Sequence, residues 1–272
     1  MIDDSVRDKG LVLLGCGKMG SAMLAGWLAG GLPATSVWVN DPHPSDWLLG
    51  TGVHVNQPLP AHPAVVLIAV KPQQMADALP TLQALGNGDT LFLSIAAGIT
   101  IGRYQDILGA QTPIVRAMPN TPAAIGQGIT ALIGNANVTA TQLETAEGLL
   151  QAVGQTVRLE TEDQIDAVTA LSGGGPAYVF HLIETLAAAG EAVGLPPDMA
   201  MTLAKVTVAG SGQLAIQSPE TPTQLRINVT SPKGTTLAAL NVLMDEESGF
   251  PALVPKAIKA ARDRSAELAS GA

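Results

Sequence analysis

A glycine-rich turn close to the start of the chain limits the possible folds more than any other feature. Residues 11–14 form a short apolar run, and Gly15, Gly17 and Gly20 follow it in the spacing G-x-G-x-x-G. Residues 21–28 then have the composition of a helix. In such a strand–turn–helix unit, the first glycine permits a tight turn and the second lets a pyrophosphate approach the backbone. The third lets the helix pack closely on the strand. The motif therefore predicts dinucleotide binding.

The alternation of short apolar runs with helix-like stretches continues to about residue 160. Strands are predicted at residues 11–14, 36–39, 65–70, 90–94, 113–117, 129–133 and 156–159. Helix-like stretches, such as residues 74–85, lie between the earlier strands. This order predicts βαβ units that form a mainly parallel sheet with helices on both faces.

The second half of the chain lacks strand signals and has apolar residues at helical spacing. Helices are predicted at residues 166–171, 177–193, 198–217, 235–246 and 252–269, with prolines at their ends or between them. We therefore expect an α/β domain over residues 1–162 and an all-helical domain over residues 163–272. Long apolar helix faces with little charge are suited to an interface between two copies of the chain.

Composition excludes several classes of function. The chain has 272 residues, enough for two modest domains, and its net charge of −9 comes without a cluster of Lys and Arg, so nucleic-acid binding is not expected. No apolar run reaches the length of about 18 residues that a membrane helix needs. The single Cys16 excludes an internal disulfide, and the charged first residues are unlike a signal peptide. We expect a soluble, cytoplasmic protein without a metal site.

Asp41 follows the glycine turn by about 20 residues, near the end of the second predicted strand. A carboxylate there accepts hydrogen bonds from the ribose 2′-hydroxyl of NAD and repels the 2′-phosphate of NADP. Asp41 is equally suited to capping the turn Asn40-Asp41-Pro42, and both interpretations stay open. Cys16, inside the glycine turn, is interpreted as a small residue that fits the turn rather than as a nucleophile.

Three further strand ends carry residues suited to ligand binding, because open α/β sheets bind ligands outside the carboxyl ends of their strands. Lys71 follows the strand at residues 65–70, where it either meets a cofactor or substrate or is simply solvated. The small residues 96–98 leave room for a ring of nicotinamide size. Residues 116–122 form a similar loop after the next strand.

Residues 228–240 place hydroxyls, a proline and a glycine directly before an alanine- and leucine-rich run. The first amides of a helix have no partner within the helix and carry partial positive charge, so this start can hold a carboxylate or a phosphate. Many helices, however, begin with Ser or Thr only because these residues cap well. Capping and binding are compatible, since some of the amides can remain free for a ligand.

These motifs resemble those of the pyrroline-5-carboxylate reductase family over nearly the whole chain. The resemblance is carried by residues 15–20, 69–72, 96–98, 116–122, 171–178 and 229–236. It implies a doubly wound Rossmann-type domain followed by an all-α helical dimerisation domain, which the family exchanges between subunits. It also implies hydride transfer from NADPH or NADH to the cyclic imine of 1-pyrroline-5-carboxylate, giving L-proline, in a homodimer or a higher homo-oligomer.

Roles for individual residues follow from the motifs and the resemblance together. The residues expected to contact the cofactor are Gly15, Cys16, Gly17, Lys18, Met19, Gly20, Asn40, Asp41, Asn56, Ala69, Val70, Lys71, Pro72, Ala96, Ala97 and Gly98. The residues expected to hold the substrate are Met118, Pro119, Asn120, Val229, Ser231, Gly234, Thr235 and Thr236. By the resemblance, those after residue 228 bind the substrate carboxylate largely through backbone amides.

Three positions depart from the family's pattern. Gly174 stands where the family usually has a serine, so a hydroxyl function is lost there. Lys233 replaces the first glycine of the usual Ser-Pro-Gly-Gly-Thr-Thr, which perturbs the turn or adds charge near the carboxylate. Asn40 and Asp41 stand where members that use NADPH often have Ser or Asn and a basic residue, which argues against a preference for NADPH.

The predicted loops contain no acid–base pair, and His43, His54, His62 and His181 are interpreted as surface or packing residues. Reduction of an imine needs little beyond positioning if the imine arrives protonated or takes its proton from water. Thr236 is the candidate catalytic residue, through a hydrogen bond to the ring nitrogen.

Two alternative functions are also considered. A β-hydroxyacid dehydrogenase-type oxidoreductase also pairs such a turn with a helical domain, but it needs a catalytic lysine one helical turn beyond a glycine-rich start. Here the first lysine after residues 173–175 is Lys205. A non-catalytic NAD(P)-sensing protein is suggested only by Gly174 and Lys233.

Overall fold

A computed structural model describes residues 3–270 of the chain, which divide into two compact units. The first unit holds residues 3–173 and 261–270, and the second holds residues 174–260. None of the helices in this described part is both long and apolar enough to span a bilayer.

The first unit is built on one eight-stranded sheet. Its strands are β1 (Leu11–Leu14), β2 (Val37–Asn40), β3 (His54–Val55), β4 (Val65–Ile68), β5 (Leu91–Ser94), β6 (Ile114–Met118), β7 (Gly128–Gly134) and β8 (Gly154–Arg158). They lie in the order β3-β2-β1-β4-β5-β6-β7-β8, and every neighbouring pair is parallel except β6 and β7. The mainly parallel sheet and its predicted strands are confirmed. The unpredicted β3 has two residues, too few for a periodic signal.

Several α-helices accompany this sheet. They are α1 (Asp4–Lys9), α2 (Lys18–Ala29), α3 (Asp46–Leu49), α4 (Met75–Ala78), α5 (Ile101–Leu108), α6 (Ala140–Leu150) and α7 (Gln164–Val168). The prediction of a helix over residues 74–85 is only partly right, because 3₁₀ turns at Pro72–Gln74 and Leu79–Leu85 flank the short α4. Pro80 has no amide hydrogen to continue an α-helix at that point.

Strand β1 shows why helices cover both faces of the sheet. Parallel strands are buried on both faces, and every side chain of β1 is at most 4% exposed. Leu11 and Leu13 pack in one core cluster with Trp27 of α2. Val12 points to the opposite face, in a second cluster that includes Tyr104 of α5. The doubly wound arrangement therefore follows from a strand that is apolar at every position.

The second unit is helical, and no described residue after β8 belongs to a strand. Its helices are α8 (Gly175–Ala192), α9 (Pro197–Gln217), α10 (Pro222–Asn228), α11 (Thr235–Leu243) and the start of α12 (Phe250–Ser270). The predicted helical second half is confirmed. The unpredicted α10 is a short helix that begins with the side-chain cap of Thr221 and with Pro222 in its first turn.

Many large apolar side chains of the second unit are exposed. Among them are Phe180, Leu203, Val206, Leu214 and Val242. Monomeric proteins rarely leave so many apolar side chains in water, so this surface is suited to contact with another chain.

Candidate functional site

Gly15 closes the turn after β1 in a backbone conformation that favours glycine. Its φ is +88°, and its amide donates to the carbonyl oxygen of Asn40 at 2.8 Å. A Cβ atom on Gly15 would lie 2.9 Å from Cγ1 of Val70 and 3.1 Å from the carbonyl oxygen of Ala69. Both the turn and the close approach of the chain after β4 therefore require glycine.

Gly20 and Gly17 serve different purposes in the same turn. A Cβ atom on Gly20 would lie 2.5 Å from the carbonyl oxygen of Gly15, so α2 can pack on the turn only with glycine at this position. Gly17 is exposed, and a Cβ atom on it would meet no atom within 4 Å. The packing of the chain does not require Gly17. Its open backbone fits the close approach of a dinucleotide's pyrophosphate.

The side chain of Asp41 links the end of β2 to the glycine turn. Its Oδ2 accepts from the amide of Cys16 at 2.6 Å, and its Oδ1 accepts from the amide of His43 at 2.8 Å. Asn56 holds the main chain of Asp41, accepting from its amide at 2.9 Å and donating to its carbonyl oxygen at 2.8 Å. The turn-capping contacts are therefore present. The carboxylate still has lone pairs that can accept from a ribose hydroxyl.

A cavity of about 420 Å³ lies at the carboxyl ends of β1, β2 and β4. The predicted cofactor residues that line it are Gly15, Gly17, Asn40, Asp41, Ala69, Val70 and Lys71. Its lining also includes four polar residues that were not predicted, His43, Gln74, Asp77 and Thr81. Their types and spacing match no nucleotide-binding motif, and of the four only His43 and Gln74 lie close after a strand end, at β2 and β4 respectively.

The other predicted cofactor residues do not line this cavity. They are Cys16, Lys18, Met19, Gly20, Asn56, Pro72, Ala96, Ala97 and Gly98. Burial, together with the negative charge of Asp41, raises the pKa of the Cys16 thiol to about 11. The thiol is therefore protonated near neutral pH and is a weak nucleophile.

Ala96, Ala97 and Gly98 lie in the loop of residues 95–100, which joins β5 to α5. Ala96 is buried, and its amide donates to Oγ of Ser94 at 3.3 Å. Gly98 has a φ of +73°, a conformation that suits glycine. The loop thus leaves the carboxyl end of β5, two strands away from β1 in the sheet.

The predicted substrate residues of the first unit follow β6. Met118 and Pro119 are buried. Asn120 accepts from the amide of Ile129 at 3.0 Å through its Oδ1, and its Nδ2 donates to Oγ of Ser172 at 3.3 Å. In this structure the Asn120 side chain supports its own loop, since it connects the start of β7 to the π-helical turn Thr169–Gly173.

The predicted carboxylate anchor lies in the second unit, at the start of α11. The amide of Gly234 donates to the carbonyl oxygen of Ser231 at 3.0 Å, which closes a four-residue turn with Pro232 second and Lys233 third. Gly234 is then the N-cap of α11, and this helix has no side-chain cap. Ordinary capping by Ser or Thr is therefore absent here, and no capping side chain occupies the first amides of α11. Of the remaining predicted residues, Val229, Thr235 and Thr236 are exposed.

Two of the histidines, His54 and His181, make packing or surface contacts. His54 stacks on Trp38 with ring centroids 4.6 Å apart, and His181 pairs with Glu184 on the surface of α8. Within residues 3–270, no group of three or more His, Cys, Asp or Glu residues is arranged to hold a metal ion.

Both parts of the chain match family models. Residues 162–268 match the model described as pyrroline-5-carboxylate reductase dimerisation, and residues 10–98 match the model described as NADP oxidoreductase coenzyme F420-dependent. The pyrroline-5-carboxylate reductase of Pseudomonas aeruginosa is 42% identical over 265 residues, which cover 95% of this chain and 96% of that protein. The chain belongs to the pyrroline-5-carboxylate reductase family.

Solved structures of pyrroline-5-carboxylate reductases have the same fold. The one from Coxiella burnetii has a TM-score of 0.90 at 35% identity and covers 96% of this chain and 98% of its own. The structure of a pyrroline carboxylate reductase from Plasmodium falciparum, solved with NADP bound, has a TM-score of 0.84 at 28% identity and covers 97% of this chain and 99% of its own. The predicted Rossmann-type domain followed by a helical dimerisation domain is confirmed.

Lys233, a departure from the pyrroline-5-carboxylate reductase pattern, lies in a strained conformation. Its φ is 59°, and the third position of a type II turn requires such a positive φ, which Gly and Asn adopt most readily. For a residue with a side chain such as lysine, this left-handed conformation costs about 1–2 kcal/mol. The glycine that is usual in the family at this position therefore avoids the unfavourable backbone conformation.

Replacing Lys233 with asparagine should raise the free energy of unfolding by about 0.5–1 kcal/mol, because asparagine tolerates a positive φ better than lysine. Denaturant unfolding at a fixed protein concentration measures the change. Lys233→Ala is the matched control, since it removes the charge and keeps an ordinary β-carbon, and no gain is expected from it. Equal gains in both variants would show that the lysine charge, rather than the backbone, causes the instability.

The backbone conformation at Gly174, the other departure in the helical half, does not require glycine. It is the N-cap of α8, with φ −82° and ψ −17°, a conformation that any residue can adopt. Nothing in the structure accounts for glycine where the family usually has serine.

Proposed function

We propose that the chain is a pyrroline-5-carboxylate reductase, which transfers hydride from NADH or NADPH to the imine carbon of 1-pyrroline-5-carboxylate and forms L-proline. The observation that carries this proposal is the full-length relationship, since relatives of that name are 35–42% identical over nearly the whole chain. The geometry of the glycine turn agrees with it, because the turn leaves the Gly17 backbone open beside the cavity.

We assign nucleotide binding to residues 1–162 and substrate binding with dimerisation to residues 163–272. The cofactor residues that line the cavity all lie in the first range, and the proposed carboxylate anchor at α11 lies in the second. The match to the dimerisation model begins at residue 162, which supports the same boundary.

The first unit supplies the cofactor site in this proposal. Gly17 lets the pyrophosphate reach the backbone, and the amino-terminal end of α2 favours its negative charge. Lys71 adds a positive charge at the cavity. By the family resemblance, the small residues 96–98, which lie outside the lining of this cavity, would flank the nicotinamide. When bound, the reduced nicotinamide supplies the hydride.

The second unit supplies the substrate anchor. The first amides of α11, which no side chain caps, hold the substrate carboxylate, and the turn from Ser231 to Gly234 leads the chain into them. The Thr236 hydroxyl makes a hydrogen bond to the ring nitrogen and so orients the imine carbon. A protonated imine becomes a neutral amine when it accepts hydride, so no general base is required of the chain.

We further propose that the chain acts as a homodimer or higher homo-oligomer in the cytoplasm. The exposed apolar side chains of the second unit support self-association, in agreement with the match to a dimerisation model. The net charge of −9 gives no support to nucleic-acid binding. A single cysteine and the use of a reduced cofactor fit a reducing compartment.

A spectrophotometric assay of NADH and NADPH oxidation with 1-pyrroline-5-carboxylate tests the proposal. Turnover that depends on this substrate is the expected result. Reduction of NAD⁺ or NADP⁺ by a β-hydroxyacid in a parallel assay would instead favour a dehydrogenase of that type. Cofactor binding without turnover of either substrate would favour an NAD(P)-sensing protein.

Asp41 leads us to expect a preference for NADH over NADPH, because its carboxylate repels a 2′-phosphate. Asp41→Asn should shift the ratio of kcat/KM values about tenfold towards NADPH, the size of one removed like-charge repulsion near a protein surface. Steady-state kinetics with both cofactors measure the ratio.

Asp89→Asn is the control for this prediction. It removes the same charge at the amino-terminal end of β5, and it should leave the cofactor ratio unchanged. A wild-type preference for NADPH, or an Asp41→Asn variant with the wild-type ratio, would show that Asp41 does not select the cofactor.

A further inference from the structure

Arg116 is an ionised residue in the middle of the buried strand β6. It is 3% exposed, and its Nη1 donates to Oε1 of Glu162 at 2.7 Å. Its Nε and Nη2 are buried without a hydrogen-bond partner among the described residues. A buried charge with an incomplete set of partners is unfavourable for a fold. A contribution to stability alone therefore does not explain the ion pair of Arg116 and Glu162. The other hydrogen bond of Glu162 indicates a second role for the pair.

Glu162 also holds the far end of the loop of residues 95–100. Its Oε1 accepts from the amide of Ile101 at 2.8 Å, and Ile101 is the first residue of α5. The same carboxylate oxygen thus receives hydrogen bonds from Arg116 and from the backbone where the loop ends. Through Glu162, the buried guanidinium fixes the end of the loop to β6.

Ser94 and Tyr104 hold the near end of the same loop. Oγ of Ser94 accepts from the amide of Ala96 at 3.3 Å and is hydrogen-bonded to the hydroxyl of Tyr104. Both side chains are fully buried. Burial raises the pKa of Tyr104 to about 12, so the phenol remains protonated at neutral pH. Tyr104 therefore keeps the Ser94 hydroxyl in place beneath the loop.

The side chains that hold the two ends of the loop come from neighbouring strands. Ser94 pairs with Arg116 in the parallel register of β5 and β6. Tyr104 belongs to α5, the helix whose first amide Glu162 holds. The loop of residues 95–100 is thus held at both ends by one group of polar side chains, of which Ser94, Tyr104 and Arg116 are buried and Glu162 is partly buried.

We propose that Ser94, Tyr104, Arg116 and Glu162, named the loop support, are positioning residues that hold residues 95–100 in place to flank the nicotinamide. This rests on the proposed function, in which Ala96 and Ala97 flank that ring. A misplacement of about 1 Å at a reacting centre can lower a rate about 100-fold. The loop support therefore affects turnover without touching the substrate or the cofactor.

Two variants with minimal changes in size test the kinetic role. Tyr104→Phe removes only a hydroxyl, and Glu162→Gln removes only a charge. Both should lower kcat about tenfold or more and change the Kd for NADH by less than about threefold. Thr90→Val is the matched control, because it removes a buried hydroxyl that donates to Pro63 at 2.8 Å at the opposite end of β5. Its kcat should equal that of the wild type.

Amide hydrogen exchange of the free protein tests the structural role without any substrate. The amides of Ala96 and Ile101 should exchange about tenfold faster in Tyr104→Phe and Glu162→Gln, and at the wild-type rate in Thr90→Val. Unchanged exchange, or faster exchange with unchanged kcat, would overturn the proposal.

The two proposals fail in different ways. A wild-type protein without 1-pyrroline-5-carboxylate turnover would refute the proposed function, while the exchange rates would still decide whether the loop support holds the loop. If Glu162→Gln does not fold, Tyr104→Phe provides both measurements.

Discussion

Replacing Gly17 with alanine will weaken NAD(P)H binding about 10- to 100-fold, while the free chain keeps its fold. The new methyl group would meet no atom of the chain within 4 Å, and the φ of −70° at this position suits alanine. The methyl group would instead occupy the space through which a pyrophosphate approaches the backbone. One lost hydrogen bond to a charged group is worth about 1.5–3 kcal/mol, and about 1.4 kcal/mol is a factor of ten in affinity.

Fluorescence titration with NADH and NADPH measures the affinity, and thermal unfolding of the free protein verifies its fold. Gly88→Ala is the matched control. Gly88 is also exposed, but it precedes β5 and so lies at the amino-terminal end of that strand, whereas the glycine turn follows the carboxyl end of β1. It should leave binding unchanged. Wild-type affinity in Gly17→Ala would show that the pyrophosphate does not bind at this turn.

Gly20→Ala provides a contrast within the same turn. Its Cβ atom would lie 2.5 Å from the carbonyl oxygen of Gly15, so the backbone itself must move. This variant should lose both stability and binding, whereas Gly17→Ala should lose binding alone.

Replacing Thr236 with alanine will lower kcat about 100-fold, the scale observed when one donor to a transition state is removed. The Kd for NAD(P)H should stay within about twofold, because Thr236 belongs to the helical unit and the proposed cofactor residues belong to the other unit. Thr236 is exposed at the second residue of α11, so the substitution has little effect on packing. Steady-state kinetics with saturating cofactor, together with the titration described above, separate the two quantities.

Two further variants test whether a loss of turnover in Thr236→Ala is caused by the missing hydroxyl. Thr236→Ser keeps the hydroxyl and should recover most of the rate. Thr202→Ala removes an exposed threonine whose Oγ1 donates to the carbonyl oxygen of Asp198 at 2.8 Å within α9, and its turnover should match the wild type. If Thr236→Ala itself turns over at the wild-type rate, Thr236 has no part in the mechanism.

Most elements of the fold were predictable because their signals are local. The strands before residue 160 are short apolar runs, and the helices of the second unit have apolar residues at helical spacing, so neighbouring residues suffice to identify them. The prediction for residues 74–85 was only partly right because Pro80 divides the segment into short turns. Strand β3 was missed because two residues carry no period.

The candidate site was predictable to a smaller extent. The spacing of Gly15, Gly17 and Gly20 predicts the turn, and the structure explains the three glycines by a positive φ, an open backbone and a close helix contact. For Asp41 the sequence left two interpretations open, and its bonds to the amides of Cys16 and His43 were not predictable. The polar residues in and around α4 that line the cavity, Gln74, Asp77 and Thr81, match no motif.

The sequence by itself determined the α/β and helical halves, the family, and the backbone demands of the glycine turn, because each depends on residues close together in the chain. Only the tertiary structure decided which side chains support one another. Arg116 and Glu162 are 46 residues apart, and Cys16 and Asp41 are 25 apart, so neither contact exists until the sheet forms. Such long-range contacts between polar groups leave no period in the sequence.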